Sequence, residues 1–287
     1  MRKDANGHWQ VWVASARLTD AKMLTAEGAD SGWPVWSPDA SKLAFDSSRA
    51  DRIPGDSEDV NDIFVMNMDG SGVKKLTDSK DGSADAAWSP DGSLIAFDAD
   101  RGDYPAKQGI YVMGDNGAGT RRITSLPANA TNDLAPRFSP DGSRLVFTRY
   151  RGKGRSEKAA LFTVRLDGTH LQRLTSFSIH AGDADWSPDG KRIVFEAYPN
   201  PDAFGNLYVV SAKGGRVINL TRNPTGRAGS ADPVWSPDGR KILFLDNRRV
   251  GVVGRTGLAT MKPDGSGRRF ISSNNLELHQ PDWQSVH

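Results

Sequence analysis

Short apolar segments separated by polar turns recur along the whole chain. They are rich in β-branched and aromatic residues and are bounded by Gly, Pro, Asp and Ser, which is the pattern of β-strands. One set ends in Phe and comprises residues 43–45, 95–97, 145–147, 193–195 and 242–244. A second set comprises residues 11–13, 63–65, 110–112, 161–163, 207–209 and 258–260. The sequence therefore predicts an all-β protein.

An aromatic residue followed by Ser-Pro-Asp-Gly, or a close variant, marks an internal repeat. It occupies residues 36–40, 88–92, 138–142, 186–190 and 235–239, and Trp283 begins a truncated last copy. The aromatic positions are 52, 50, 48, 49 and 48 residues apart, a period suited to the four strands of one propeller blade. Pro at a φ of about −65° and Gly at positive φ indicate a tight turn. Ala40 replaces this glycine in the first copy, where we expect a strained turn. The aromatic residues are predicted to pack between neighbouring blades.

This repeat resembles that of the TolB-like β-propellers, whose blades read roughly PAWSPDG and then IAF. Residues 233–239 followed by Ile-Leu-Phe, and residues 86–92 followed by Ile-Ala-Phe, match that spelling, and the resemblance extends from Trp9 to Trp283. It implies a six-bladed propeller of four-stranded antiparallel blades, formed by residues 1–287 as a single domain. By analogy, the inner strand at Trp283 closes the ring with outer strands 11–13 and 23–25.

The closing blade departs from this pattern because no apolar strand ending in Phe precedes Trp9. The first eight residues resemble the loop that follows such a strand. The first and third strands of a blade run parallel, so they cannot pair without a change in hydrogen-bond pattern. We therefore expect a longer natural N-terminus, or an open edge that pairs with another chain. The protein would be a monomer or an edge-paired dimer.

Six residues stand three positions before the repeat aromatic, where each inner strand reaches the channel mouth: Trp33, Asp85, Ala135, Asp183, Asp232 and Gln280. We predict a ligand-binding site formed by the following residues: Trp33, Asp85, Asp183, Asp232, His279 and Gln280. Carboxylates from three blades could hold a hard cation such as calcium, or a basic or amine-bearing ligand. Alternatively, each Asp accepts backbone N–H groups within its own loop.

Composition narrows the function. The chain has 37 Lys and Arg against 35 Asp and Glu, a formal charge of +2, and thus no sign of nucleic-acid binding. It has no cysteine, which excludes disulfides and thiolate chemistry. No apolar run approaches the roughly 18 residues of a membrane span, and no signal segment follows Met1, so membrane insertion is not expected. The resemblance implies a periplasmic or extracellular location, with any export signal in a missing extension.

Two loops carry opposite charge. Residues 46–62 have a net charge of −4 and residues 148–160 a net charge of +4. If both loops lie on the rim of the loop face, their opposite charges favour oriented docking of a dipolar partner. Mobile loops without a partner also carry such runs of charge.

We predict a noncatalytic binding propeller that engages a protein segment or small ligand on its loop face and channel, as the resemblance implies. The five histidines lack metal-binding spacing, and no G-x-S-x-G motif occurs, so no catalytic residue and no cofactor beyond channel calcium is assigned. One alternative is a hydrolase or lyase that uses channel-mouth carboxylates, with or without a metal. It requires at least two titratable groups converging on one pocket. Another is the detached propeller of a prolyl oligopeptidase-like enzyme.

Overall fold

The structure is a computed structural model that describes residues 1–15, 20–25, 28–49, 61–78, 82–99, 108–153, 157–199, 205–223, 229–247, 257–272 and 280–283. Its first strands are short and form two antiparallel pairs. In the first pair β1 (Arg2–Lys3) lies beside β2 (Trp9–Gln10). In the second, β3 (Trp12–Val13) lies beside β4 (Lys22–Met23).

Five four-stranded sheets follow, each with its strands in chain order and each pair antiparallel. Blade 1 contains β5 (Ser31–Trp36), β6 (Lys42–Ser47), β7 (Asp62–Asn67) and β8 (Lys74–Lys75). Blade 2 contains β9 (Ala84–Trp88), β10 (Leu94–Ala99), β11 (Gly109–Gly114) and β12 (Arg121–Arg122). Blade 3 contains β13 (Asn132–Phe138), β14 (Arg144–Arg151), β15 (Lys158–Arg165) and β16 (Gln172–Arg173).

A short 3₁₀ helix (Phe177–Ile179) precedes the fourth blade. Blade 4 contains β17 (Ala181–Trp186), β18 (Arg192–Ala197), β19 (Asn206–Ser211) and β20 (Ile218–Asn219). Blade 5 contains β21 (Ser230–Trp235), β22 (Ile242–Asp246), β23 (Gly257–Met261) and β24 (Arg269–Phe270). No helix in the described part of the chain is long and apolar enough to cross a membrane.

The prediction of six four-stranded blades is wrong, because the described residues form five. A blade needs a Ser-Pro-Asp-Gly-type turn followed by a second strand that ends in Phe, and the chain has only five such copies. Residues 280–283 form no strand, so closure by a C-terminal inner strand is also wrong. Arg2–Lys3, expected in a loop, instead pairs with Trp9–Gln10, since pairing uses backbone groups that polar residues also supply.

The serine of the repeat makes the side-chain hydrogen bonds of each tight turn. In blade 4, Ser187 Oγ donates to Asp189 Oδ1 at 2.6 Å and accepts from Arg192 N at 2.9 Å. The other four turns repeat both bonds. Ala40 has a φ of 58°, in the left-handed region that is costly for a residue with a Cβ. The expected strain in the first turn is therefore present.

A hydroxyl after the fourth strand joins it to the start of the third strand. In blade 3, Leu161 N donates to Thr175 Oγ1 at 2.9 Å. The same bond recurs in the following pairs: Val11 and Thr25, Ile63 and Thr77, Ile110 and Thr124, Leu207 and Thr221, Leu258 and Ser272. The pair β3 and β4 thus keeps the outer half of a blade.

The core lies between adjacent blades. Phe147 of blade 3 packs with Ile110 of blade 2, and both are fully buried. Trp186 of blade 4 packs against Val146 of blade 3. The predicted packing of the repeat aromatic between neighbouring blades is therefore seen at Trp186.

Candidate functional site

The positions three residues before the repeat aromatic share one backbone geometry. Their φ angles are 43° at Trp33, 55° at Asp85, 53° at Ala135, 42° at Asp183, 49° at Asp232 and 48° at Gln280. In each of the five blades the pairing of the first two strands shifts register at this point. Such a bulge redirects a side chain and costs backbone strain in a non-glycine residue.

These positions meet at the central channel. A cavity of about 880 Å³ is lined by Trp33, Ala135, Asp183, Asp232 and Gln280, among others. Asp85 does not line the cavity, but the charge of Asp183 helps to raise its pKa. His279 lies outside the described residues.

Sequence reasoning missed three acids that lie one residue after the Phe of the second strand. They are Asp46, Asp98 and Glu196, and all three are buried. The signal was an acidic residue beside Phe in an otherwise apolar strand, at a position whose side chain points away from the Phe. We define the acidic belt as the following six residues: Asp46, Asp85, Asp98, Asp183, Glu196 and Asp232.

One half of the acidic belt is formed by blades 4 and 5. One carboxylate oxygen each from Asp183, Glu196 and Asp232 lies within 4.8 Å of the other two. Glu196 hydrogen-bonds the side chains of Asp183 and Tyr198 and accepts from Asp232 N at 3.2 Å. Asp232 Oδ2 accepts from Gln280 N at 2.9 Å. Asp232 therefore binds the backbone of the next inner segment rather than that of its own loop.

The other half is formed by blades 1 and 2. Asp98 hydrogen-bonds Asp85, and Asp46 Oδ2 accepts from Asn61 Nδ2 at 2.8 Å. The Oδ1 atoms of Asp46, Asp85 and Asp98 are buried and have no hydrogen-bond partner in the described structure. Asp46 and Asp98 are 1% and 2% exposed. Buried polar atoms are nearly always paired, so these three oxygens leave acceptor capacity unused.

Burial raises the pKa of every carboxyl in the belt, and repulsion by neighbouring carboxylates adds to this at all of them except Asp183. Burial, with the charge of Asp85, raises the pKa of Asp46 to about 8. Burial, with the charge of Asp183, raises the pKa of Asp232 to about 7. Burial among the surrounding protein groups raises the pKa of Asp183 as well, although its side chain is exposed to the channel. At neutral pH the belt therefore carries fewer charges than it has carboxyl groups.

A second layer lies one residue before the repeat aromatic and contains Arg137, Asp185 and Asp282. The charge of Arg137 lowers the pKa of five acids: Asp85, Asp183, Asp185, Asp232 and Asp282. Asp185 Oδ2 accepts from Trp235 N at 2.7 Å, and Asp282 Oδ2 accepts from Trp36 N at 2.9 Å. These two carboxyls join neighbouring inner segments, whereas the positive charge of Arg137 partly offsets the negative charge of the acidic belt.

Aromatic rings flank the blade 4 half of the belt. His180 has a φ of 50° after the 3₁₀ helix, and its ring stands edge-on to those of Tyr150 and Tyr198. Burial and the charge of Glu196 raise the pKa of Tyr198, which keeps its hydroxyl a proton donor. Glu196 and Tyr198 are thus two titratable groups in direct contact beside the mouth.

The predicted basic loop is shorter than expected, because β14 reaches Arg151 and β15 begins at Lys158. Arg149 is buried and pairs with Asp133, with both Nε and Nη2 at 2.6 Å from its carboxylate oxygens. Most of the predicted acidic loop, residues 50–60, lies outside the described part of the chain. The proposed rim polarity remains a prediction.

Comparison with known proteins agrees with this architecture. The family described as the TolB beta propeller domain matches residues 126–285, more than half of the chain. The chain therefore belongs to that family. It is 29% identical over 196 residues to the uncharacterized peptidase YuxL of Bacillus subtilis, covering 57% of this chain and 29% of that protein. The chain thus spans less than a third of that relative's length.

Solved structures share the fold. The putative TolB from Agrobacterium tumefaciens has a TM-score of 0.68 at 22% identity, covering 90% of this chain and 86% of that one. An oligogalacturonate lyase in complex with manganese has a TM-score of 0.64 at 12% identity, covering 91% and 72%. At these identities the likeness establishes the fold alone.

Proposed function

We propose that this chain is a binding propeller that takes a segment of a partner protein, or a small ligand, into its channel mouth on the loop face. The observation that carries the proposal is that two carboxyls of the acidic belt, those of Asp183 and Asp232, line the channel cavity. This cavity has a volume of about 880 Å³, within the usual size range of ligand pockets.

The geometry of the mouth supports a recognition role. Six inner segments hold their mouth residues at positive φ, and rigid scaffolds that present such residues are typical of binding sites. The resemblance to TolB-like propellers, which are mostly interaction modules, supports the same conclusion, and a periplasmic or extracellular location would follow from it. The oligomeric state, monomer or edge-paired dimer, stays a prediction.

Affinity capture tests this proposal. The immobilised chain and an Asp183→Asn, Asp232→Asn double variant would be exposed to extract of the source organism, and retained proteins identified by mass spectrometry. We expect at least one protein to be retained by the chain and lost with the double variant. Asp115→Asn is the matched control, because Asp115 is a half-exposed acid in the β11–β12 hairpin. Retention that is equal on all three proteins would contradict a binding site at the mouth.

Calcium is a second occupant that the belt would accept. The oxygens of Asp183, Glu196 and Asp232 are hard donors, and their separations of up to 4.8 Å suit one cation bound at about 2.4 Å from each. Calcium or manganese would then raise the melting temperature of the chain but not of the double variant. If neither ion changed the melting temperature, the belt would have no role in binding a metal.

A lyase or hydrolase is the second candidate function. Two titratable groups, Asp183 and Asp232, line one cavity, with Glu196 within 4.8 Å of both, and a manganese-bound oligogalacturonate lyase shares the fold. A screen of polysaccharide and peptide substrates with and without manganese tests it, and turnover that Glu196→Gln abolishes is the expected result. The similarity to a protein named as a peptidase also keeps open a propeller that gates a separate catalytic domain.

A further inference from the structure

We infer that a partner protein adds an extended segment to the open edge of β3 and places a phenylalanine ring against Trp12. We call β3 and β4 the half-blade, because they keep the outer half of a blade. None of their residues lines the channel cavity, so this edge is a second interaction surface and does not depend on the proposed function.

The half-blade occupies a blade position next to blade 1. Val11 packs in one buried cluster with Phe45 and Phe64 of blade 1. Lys22 Nζ donates to Asp69 O of blade 1 at 3.1 Å. The outer strands of blades 1, 2 and 3 donate in the same way to a carbonyl group of the next blade. The half-blade is therefore docked as the outer half of a complete blade is.

The inner segment 280–283 lies at the same position around the ring. Asp282 Oδ2 accepts from Trp36 N of blade 1, as Asp185 Oδ2 of blade 4 accepts from Trp235 N of blade 5. In each complete blade a second strand lies between the first and third strands. Among the described residues, β3 pairs with β4 alone, and β1 pairs only with the preceding β2. These residues leave the second-strand place opposite β3 unfilled.

The backbone of Trp12 faces this place. Val11 N donates to Thr25 Oγ1 at 2.9 Å, and Val11 O accepts from Leu24 N at 2.9 Å, so the polar groups of Val11 face β4. Successive residues of a strand direct these groups to opposite edges. The N–H and C=O of Trp12 therefore point away from β4, and groups of this kind are a template for an added strand.

The side chain of Trp12 lacks a ring that its counterparts have. Trp12 corresponds to Phe64 of blade 1, since each follows the residue that bonds the hydroxyl after the fourth strand. In blades 1 to 4 the third-strand aromatic stacks on the Phe of the second strand, with centroids 5.7 to 5.9 Å apart. Arg149 covers both rings of the blade 3 pair, whereas Arg2 covers Trp12 alone, at 5.1 Å. A phenylalanine opposite Trp12 would complete the pair.

The five complete blades define the sequence that fits. Each second strand contains Leu or Ile, then Ala, Val or Leu, then a buried Phe. The chain has this motif only in those five strands, so a second folded copy has none to donate. The added strand therefore comes from a different protein, carries this motif, and runs antiparallel to β3.

A capped peptide with the sequence of residues 190–197, the second strand of blade 4, tests the inference. Calorimetry would compare it with the same peptide carrying Phe195→Ala and with a scrambled peptide. We expect the alanine peptide to bind about tenfold more weakly or worse, because it loses the buried aromatic pair. Trp12→Ala should abolish this preference, and Trp12→Phe should keep it. Amide hydrogen exchange at Trp12 should slow when the peptide binds.

Three results would overturn the inference. Equal affinity for the phenylalanine, alanine and scrambled peptides would show that no ring is recognised. Binding that leaves amide exchange at Trp12 unchanged would place the peptide elsewhere. A dimer in sedimentation that excludes the peptide would assign the edge to a second copy of the chain. Each of these results leaves the proposed function standing, because the extract experiment measures retention at the channel mouth.

Discussion

Replacing Asp46 by Asn should stabilise the protein, and increasingly so as the pH rises. Asp46 is 1% exposed, and its pKa is raised to about 8 by burial and by the charge of Asp85. The unfolded chain ionises this carboxyl from about pH 4 upward. The folded chain must therefore keep a proton, or bury a charge, throughout the physiological range. An Asn side chain keeps the acceptor for Asn61 without either cost.

The magnitude follows from proton linkage. Between about pH 4 and pH 8 the folded state binds the Asp46 proton more tightly than the unfolded state, so stability falls as the pH rises through this window. One pKa unit corresponds to about 1.4 kcal/mol. From about pH 5.5 to about pH 8.5, wild type should lose about 3 kcal/mol more unfolding free energy than the Asn variant.

Urea unfolding at both pH values measures this difference. Asp115→Asn, at a half-exposed acid, is the control, and its difference from wild type should change by less than about 0.5 kcal/mol. A gap between wild type and Asp46→Asn that stays constant from pH 5.5 to pH 8.5 would refute a neutral, destabilised Asp46.

Three further substitutions test the structural hydrogen bonds. Thr175→Val should cost about 1–3 kcal/mol of unfolding free energy, because the buried N–H of Leu161 loses its acceptor. Ser187→Ala should cost about 1–2 kcal/mol, since it removes both side-chain bonds of the blade 4 turn. Arg149→Leu should cost about 3–5 kcal/mol by leaving the buried charge of Asp133 unpaired. Chemical denaturation measures all three.

Each substitution has an exposed counterpart that should change stability by less than about 0.5 kcal/mol. Thr169→Val and Ser143→Ala remove hydroxyls that bond exposed aspartates. Arg240→Leu removes a side chain that is 85% exposed. A loss in any buried variant no larger than in its exposed counterpart would contradict the role assigned to that hydrogen bond.

Much of the blade architecture could be predicted from the repeat. Turns such as that of Ser187 combine Pro and Gly, whose backbone preferences are local, so the sequence alone locates them. Second strands such as residues 193–195 follow at fixed spacing. The equivalence of Asp85, Asp183 and Asp232 also follows from counting back from each aromatic residue, and the structure gives all three the same positive φ.

The blade count and half of the belt could not be predicted in this way. Six aromatic repeats suggested six blades, but a blade also needs its own second strand, and Arg2–Lys3 pairs through backbone atoms that leave no side-chain pattern. Asp46 and Glu196 looked like single interruptions of apolar strands. Only the packing of neighbouring blades places these two acids beside the other carboxyls of the belt.

The junction between blades 5 and 1 has a mechanical consequence. Among the described residues, three hydrogen bonds hold the inner segment 280–283. Gln280 N donates to Asp232 Oδ2, Trp33 N donates to Gln280 Oε1, and Trp36 N donates to Asp282 Oδ2. Side-chain bonds of this kind are fewer than the rungs of a continuous ladder. This junction should therefore open at a lower free energy than any blade. We expect its amide protons to exchange first, and a large ligand to enter the channel by separating blades 5 and 1.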